Sequence, residues 1–438
     1  MNWSRRRALS VAGTALVAGC TGITGTSEPT DDPPETVAPP DVSFTPEADW
    51  EAPTEAPTAE LEQNVLVENL EIPWDVSVAS NGDLFVTERV GRVNRFSAGD
   101  VEEVLEPEDA IDAGSVPPGH DEQPWWVDGG EGGTLGVAVH PNYPDQSYIF
   151  VYYTAETPVG RVNRVSRFDV SADEPADTEE PIVDGVPANQ YHNGGRLQFG
   201  PEGYLWATFG DAGEPDLAQD PTSLAGKVVR TDVYGDPAPD NPDLGEDADG
   251  RIFTYGHRNP QGLVWLPDGT PVASEHGEAA HDEVNRLVAG DDYGWPNQPR
   301  EKEKYVDAED VHPPLANTGA DTWAPTGARF YTGDAVPSWR NRMLIGCLGS
   351  QQAIVLTLTP PDGDLPPAAD GRRFDADWFD DTYTATAHPV LGDELGRIRH
   401  LEQGADGELY AVTSNRDGRA TGEFPRERDD VLVSLQAA

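Results

Sequence analysis

Lysine is almost missing from this 438-residue chain: only Lys227, Lys302 and Lys304 occur. All basic residues together number 29 against 79 acidic ones, a formal net charge of −50 at pH 7. A surface so poor in positive charge repels phosphate backbones, which argues against nucleic acid as a partner. In ordinary buffer such self-repulsion destabilises a compact state, but salt of about 1 M shortens the Debye length to roughly 3 Å. The composition therefore reads as a solvated acidic surface adapted to high salt. An acidic patch for a cationic partner is the alternative and is not required. Cysteine is nearly absent too, with Cys20 and Cys347 the only two. No stretch beyond the N-terminus carries a helical period over three turns, which argues against a helical fold.

The first twenty residues read as a targeting segment. SRRRALSVAGTALVAGC (4–20) has a twin-arginine-type start, a short apolar core and then Val17-Ala18-Gly19-Cys20. That tetrapeptide resembles a lipobox, in which the cysteine becomes the lipidated first residue of the mature chain. The apolar stretch is too short for a comfortable membrane span. Twin-arginine export implies a protein that folds before it crosses the membrane, and here the membrane is met only through the lipid anchor. Residues 21–60 are rich in Pro, Thr, Glu and Asp and read as a disordered tether. With Cys20 lipidated, Cys347 has no partner in the chain and no disulfide framework is expected. Residues 61–438 show no composition break and are expected to form a single domain.

What the domain has in quantity is one repeated pattern, an apolar strand, a turn with an acidic or amide residue near glycine, and a second strand. It appears as DVSVASNGDLFVTER (75–89), RLQFGPEGYLWATFGD (196–211), GLVWLPDGTPVASEHG (262–277) and HLEQGADGELYAVTSN (400–415). Looser copies are LGVAVHPNYPDQSYIFVYYT (135–154) and ARFYTGDAVPSWRNRMLIG (328–346). Alternating β-branched and aromatic residues about such turns signal hairpins. Six hairpin units match the ~40–60 residue repeat of propeller blades. The expected fold is all-β, a six-bladed β-propeller of four-stranded antiparallel blades, with an antiparallel sandwich as the alternative. Ligands of such a fold sit at the mouth of its central channel.

Several residues in these units carry chemistry. Paired outward from GPEG (200–203), Phe199 faces Tyr204, Leu197 faces Trp206, and His192 arrives opposite Asp211 unless a bulge intervenes. Cross-strand neighbours stand roughly 4.5–5.5 Å apart at Cβ, close enough for a carboxylate to orient an imidazole as general base. YGHRNPQGL (255–263) places Arg258 and Asn259 just before another inner strand. GRIRH (396–400) puts Arg397 and Arg399 on one face of an extended strand. Arginines aimed inward from so acidic a chain imply an anionic ligand, since guanidinium forks match carboxylates. SEHGEAAHDEVNRLVAGDDYGWP (274–296) is dense in oxygen donors. Trp125 and Trp126 either stack on a sugar at the channel mouth or pack in the core. His257 and His281 read as structural.

Seven stretches in order make a wider match: IPWDVSVASNGDLFVTERVGRV, EGGTLGVAVHPNY, HNGGRLQFGPEGYLWATFGD, LAGKVVRTD, YGHRNPQGL, DEVNRLVAGDDYGWP and GRIRH. From about Leu66 to Val412 the chain resembles the soluble quinoprotein glucose/sorbosone dehydrogenases, aldose sugar dehydrogenases that use pyrroloquinoline quinone (PQQ). The resemblance implies oxidation of an aldose to its lactone, with electrons passed on to an acceptor the sequence does not name. It implies His192 as general base, oriented by Asp211, with hydride passing to the quinone. Arg258 and Asn259 would contact the quinone oxygens, Arg397 and Arg399 the cofactor carboxylates. Carbonyls of Gly277 and Glu278 would hold a calcium ion beside the quinone, and Glu283 and Tyr293 match a further calcium site. Four positions depart from the pattern. Glu131 stands beside the cofactor where Gln is common, which would bring a negative charge toward an anionic ligand. Gly349 replaces a frequent Lys, Glu278 a Pro, and Tyr191 an acid found in glucose-specialised members. Two other readings remain, a calcium-dependent propeller lactonase and a non-catalytic binding propeller. The inward arginines favour the dehydrogenase over a hydrolase.

Overall fold

A computed structural model describes residues 37–58, 60–117, 127–297, 305, 308 and 310–438. Cys20, Trp125 and Trp126 lie outside the described residues. Six antiparallel sheets stand in a ring, in chain order, as a six-bladed propeller. The innermost strands of blades 1 to 6 are Pro73–Val78, Thr134–Val139, Leu197–Phe199, Pro260–Trp265, Pro325–Tyr331 and Ile398–Gln403. Each of the six hairpins read from the sequence is the innermost hairpin of a different blade. Blade 5 departs from four strands, because Arg372–Phe374 adds a fifth at its outer edge. The ring closes through the N-terminus. Leu61–Val67 pairs with the C-terminal strand Leu432–Ala437 and so becomes the outer strand of blade 6.

Propeller strands are buried on both faces, since each sheet packs against a neighbour on either side. That is why Tyr148–Thr157 in blade 2 is apolar almost continuously, with Ile149 through Tyr153 all buried. Six large hydrophobic clusters each bridge two adjacent blades. One between blades 2 and 3 joins Leu135, Phe150 and Tyr152 to Leu197, Leu205 and Phe209. Its counterpart between blades 6 and 1 joins Val412 and Leu432 to Val76, Leu84 and Val86. Near the axis the inner strands approach closely. A Cβ added at Gly136 would stand 2.2 Å from the carbonyl oxygen of Gly195, so only glycine fits there.

Two expectations need correction. The hairpin of blade 3 is offset by one residue, with Leu197 opposite Ala207, Gln198 opposite Trp206 and Phe199 opposite Leu205. Gly203 takes φ +82°, and the Gly200 N–H reaches the Tyr204 carbonyl at 2.8 Å, making a three-residue connection. The second correction concerns the tether. From residue 37 the chain is a strap laid against blades 2 to 5. Val37 is buried, and its carbonyl accepts the Tyr234 hydroxyl at 2.5 Å. The Glu47 N–H donates to the Pro267 carbonyl at 2.8 Å, Trp50 packs edge-on to Phe330 at 5.6 Å, and the Trp339 indole donates to the Thr58 carbonyl at 2.8 Å. Low hydrophobicity hid this because the strap is held by backbone groups and a few aromatic anchors.

Candidate active site

A cavity of about 670 Å³ opens where the chain enters the innermost strands. All six blades contribute to its wall. Trp74 comes from blade 1, Glu131 from the turn before blade 2, and His192 from the loop before blade 3. Arg258 and Asn259 precede blade 4, Ala324 precedes blade 5, and Arg397 with Arg399 opens blade 6. Sites this size hold small molecules (~300–1,000 Å³).

His192 is held from several sides. Its Nδ1 lies 2.7 Å from Asp211 Oδ1, and the other Asp211 oxygen accepts the Trp295 indole N–H at 2.8 Å. Asp211 is fully buried, and its Oδ1 also accepts the Gly213 N–H at 2.7 Å. The offset hairpin places His192 across from Ala212, whose N–H donates to the His192 carbonyl at 3.0 Å. His192 and Ala212 both adopt left-handed backbone angles, φ +59° and +53°. These break the strand alternation and let the imidazole meet Asp211 despite the shifted register. Gly210 makes room for this fold-back, since a Cβ there would stand 2.1 Å from the His192 carbonyl oxygen. With Nδ1 engaged, Nε2 is the atom left to exchange a proton with a guest. Tyr191 stacks edge-on against the His192 ring at 4.9 Å and lines the same cavity.

The cavity wall is also strongly cationic. Arg258, Arg397, Arg399 and Arg419 line it. Burial and the nearby guanidinium of Arg89 hold Arg399 well below the usual arginine range, with Arg397 and Arg419 adding to the effect. Arg89 itself is pushed down to about 10, chiefly by burial. Asp417 offsets part of this charge and bonds Arg397 Nη2 at 2.7 Å. Burial opposes its ionisation, yet Arg397, Arg419 and Arg399 bring Asp417 down to about 2. Asn259 accepts the Gly194 N–H at 3.0 Å through Oδ1, while its buried Nδ2 has no partner among the described residues. Burial lowers His276, which lines the cavity, to about 4.

Residues 70–422 match the family model described as Glucose / Sorbosone dehydrogenase. The chain belongs to this family. It is 28% identical over 395 residues to the aldose sugar dehydrogenase YliI of Escherichia coli, covering 86% of this chain and 95% of that one. To quinoprotein glucose dehydrogenase B of Acinetobacter calcoaceticus it is 29% identical over 308 residues, 64% of this chain and 61% of that protein. The PQQ-bound aldose sugar dehydrogenase of Streptomyces coelicolor superposes with a TM-score of 0.66 at 29% identity, covering 87% of this chain and 99% of that one.

Within this family member the structure gathers His192, Asp211, Arg258, Asn259, Arg397, Arg399 and Glu131 about one cavity. The four residues assigned to calcium are arranged otherwise. The Gly277 carbonyl accepts Arg258 Nη1 at 2.7 Å, and the Glu278 carbonyl accepts the Ala280 N–H at 2.7 Å. Glu283 accepts the Tyr305 hydroxyl at 2.6 Å and the Asn317 amide at 3.0 Å. The Tyr293 hydroxyl donates to the Arg286 carbonyl at 2.5 Å and accepts the Val288 N–H at 3.1 Å. These donors serve the protein, and among the described residues no group of three His, Cys, Asp or Glu side chains is placed to hold a metal. His257 is structural, buried between Thr254 and Glu275 at 2.8 and 2.9 Å.

Glu131 does not present a bare charge to the cavity. Its Oε1 accepts Arg419 Nη1 at 3.1 Å and its Oε2 the His192 N–H at 2.9 Å. Burial opposes ionisation, but Arg419, then His192 and His276, hold the carboxyl far below the usual range. Arg419 was missed by sequence reasoning, as were Trp295 and Asp417. Arg419 lies in RDGRATG (416–422), which reads as a surface loop. It shares the cavity wall with Gly349, where the family's frequent lysine is absent.

Proposed function

We propose that the chain is an exported, PQQ-dependent dehydrogenase that oxidises aldoses to lactones. The observation that carries this reading is the meeting of a carboxylate-oriented imidazole with four guanidiniums around one cavity. The residues fit a flat polycarboxylate. Arg397, Arg399, Arg419 and Arg258 supply the countercharge, and Asn259 Nδ2, without a partner among the described residues, supplies a donor. The quinone, when bound, supplies the hydride acceptor. His192 Nε2 removes the proton from the anomeric hydroxyl as the C1 hydride leaves, and Asp211 stabilises the imidazolium that forms. Tyr191 offers the sugar an aromatic edge.

A calcium ion on the Gly277 carbonyl would displace Arg258 from it and place two cations together. No cluster of acidic, His or Cys side chains among the described residues would hold calcium, and no step is assigned to it. The same geometry gives a metal-dependent lactonase no ligand set among the described residues. Export through the twin-arginine segment, anchoring at Cys20 on the extracellular face of the cell membrane and adaptation to high salt complete the reading. Mass spectrometry of the native N-terminus tests the anchor.

The enzyme assay is dye reduction with aldoses after reconstitution with PQQ in concentrated salt. Reduction is expected with the wild type and lost in His192→Ala. Lactone hydrolysis without PQQ would replace the reading with the hydrolase, and silence in both assays would point to a binding propeller.

A further inference from the structure

Glu131 and Arg419 connect the two halves of the site. The Glu131 N–H donates to the Gln190 carbonyl at 2.8 Å, and its carboxylate accepts the His192 N–H at 2.9 Å. The residue thus grips the loop on both sides of Tyr191. A non-glycine residue keeps a left-handed backbone only when its surroundings hold it, and this grip is part of what holds His192 at φ +59°. The second Glu131 oxygen takes Arg419 Nη1 at 3.1 Å. Arg419 lies 3.7 Å from Asp417, whose carboxylate pairs with Arg397 at 2.7 Å. The Arg419 N–H donates to the other Asp417 oxygen at 3.0 Å. A run of charge-assisted contacts therefore passes from His192, through Glu131, Arg419 and Asp417, to the Arg397 guanidinium.

We propose that Glu131 and Arg419 act as one unit: Glu131 is a positioning residue that fixes the backbone of His192, and Arg419, anchored by Glu131, is a binding residue that adds a cation to the anion-binding wall. This rests on the PQQ-dependent reading. It has a consequence that a purely structural bridge lacks. Glu131 subtracts from the positive charge of the wall and Arg419 adds to it, so removing them shifts cofactor affinity in opposite directions. Removing Glu131 also loosens the base, because a neutral amide accepts the His192 N–H less strongly than a carboxylate does.

The test titrates PQQ into apoprotein in concentrated salt and follows quenching of tryptophan fluorescence, with Trp74 in the cavity wall as reporter. Glu131→Gln is expected to bind PQQ about tenfold more tightly than wild type, and Arg419→Gln about tenfold more weakly, as expected for one unit charge at short range. Arg419→Lys restores affinity to within about threefold, since the charge is kept. In turnover Glu131→Gln loses roughly three- to tenfold in kcat. Glu131→Gln leaves Arg419 its contact with Asp417, so it keeps the test alive if Arg419→Gln fails to fold; its tighter binding then supports the proposal and weaker binding overturns it. Affinities moving the same way in the Gln variants, or unchanged kcat in Glu131→Gln, overturn the proposal and leave the enzyme reading standing. A wild type that binds no PQQ overturns both.

Discussion

Replacing Asp211 by asparagine probes the proposed base most directly. Three donors converge on the carboxylate: His192 Nδ1 and the Gly213 N–H at 2.7 Å on one oxygen, the Trp295 indole at 2.8 Å on the other. An amide has one acceptor and one donor end, so it cannot satisfy both sides. With its oxygen toward His192, its NH₂ group opposes the Trp295 N–H. Turned the other way, it opposes the Gly213 N–H and forces the tautomer whose Nε2 carries a proton and cannot act as base. Either conflict costs about 1–3 kcal/mol, so the amide populates both orientations. Both also lose the negative charge that stabilises the imidazolium. The expected result is a fall in kcat of about 10²–10⁴-fold, with PQQ affinity unchanged. Trp295→Phe removes the first conflict alone. The double variant Asp211→Asn/Trp295→Phe should then recover about tenfold over Asp211→Asn, because the productive tautomer is favoured again. Steady-state dye reduction in concentrated salt reads both numbers. Full kcat in Asp211→Asn, or no recovery in the double variant, would refute the orienting role.

Other outcomes follow from the packing. Gly210→Ala forces a Cβ against the His192 carbonyl at 2.1 Å, both sides being backbone; a loss of about 1–3 kcal/mol in denaturant unfolding and a larger loss of activity are expected. Burial lowers Lys227 to about 7, while its ammonium donates to the Leu217 and Ala225 carbonyls at 2.7 and 2.8 Å. Between pH 7 and the unfolded lysine value near ~10.4 the unfolded chain binds more protons, so this residue's contribution to stability rises with pH across that window, by at most about 1.4 kcal/mol per unit. Lys227→Met should flatten that part of a melting-temperature-against-pH curve, and an unchanged slope would contradict the assignment. Trp50→Ala removes the strap's aromatic anchor on Phe330 and Tyr383 and should cost about 2–3 kcal/mol without changing PQQ affinity.

Much of the architecture was written locally. Strand alternation and the Asn-Gly, Asp-Gly and Pro-Glu-Gly turns act over a few residues, so the six innermost hairpins could be read directly. The same locality set a limit. Gly203 in a left-handed angle closes a three-residue connection where a four-residue one was read, and that difference shifted the register by one. The site residues in compact runs, His192, Asp211, Arg258, Asn259, Arg397 and Arg399, were legible as candidates. The pairing of His192 with Asp211 was legible too, but the meeting of that pair with Arg258 and Asn259 and with Arg397 and Arg399 was not, because these three groups come from blades 3, 4 and 6 and only closure of the ring fixes the distances.

The sequence by itself determined the all-β class, the six repeats and the acidic surface, since these follow from spacing and composition along the chain. Tertiary structure alone decided that residues 37–58 form a strap, that Glu131 is matched by Arg419, and that the Gly277 carbonyl faces a guanidinium. Those contacts join residues 288 positions apart in the Glu131–Arg419 case. No local periodicity reports on such a pair; the cost of burying one charge is offset only by the other arriving from across the ring.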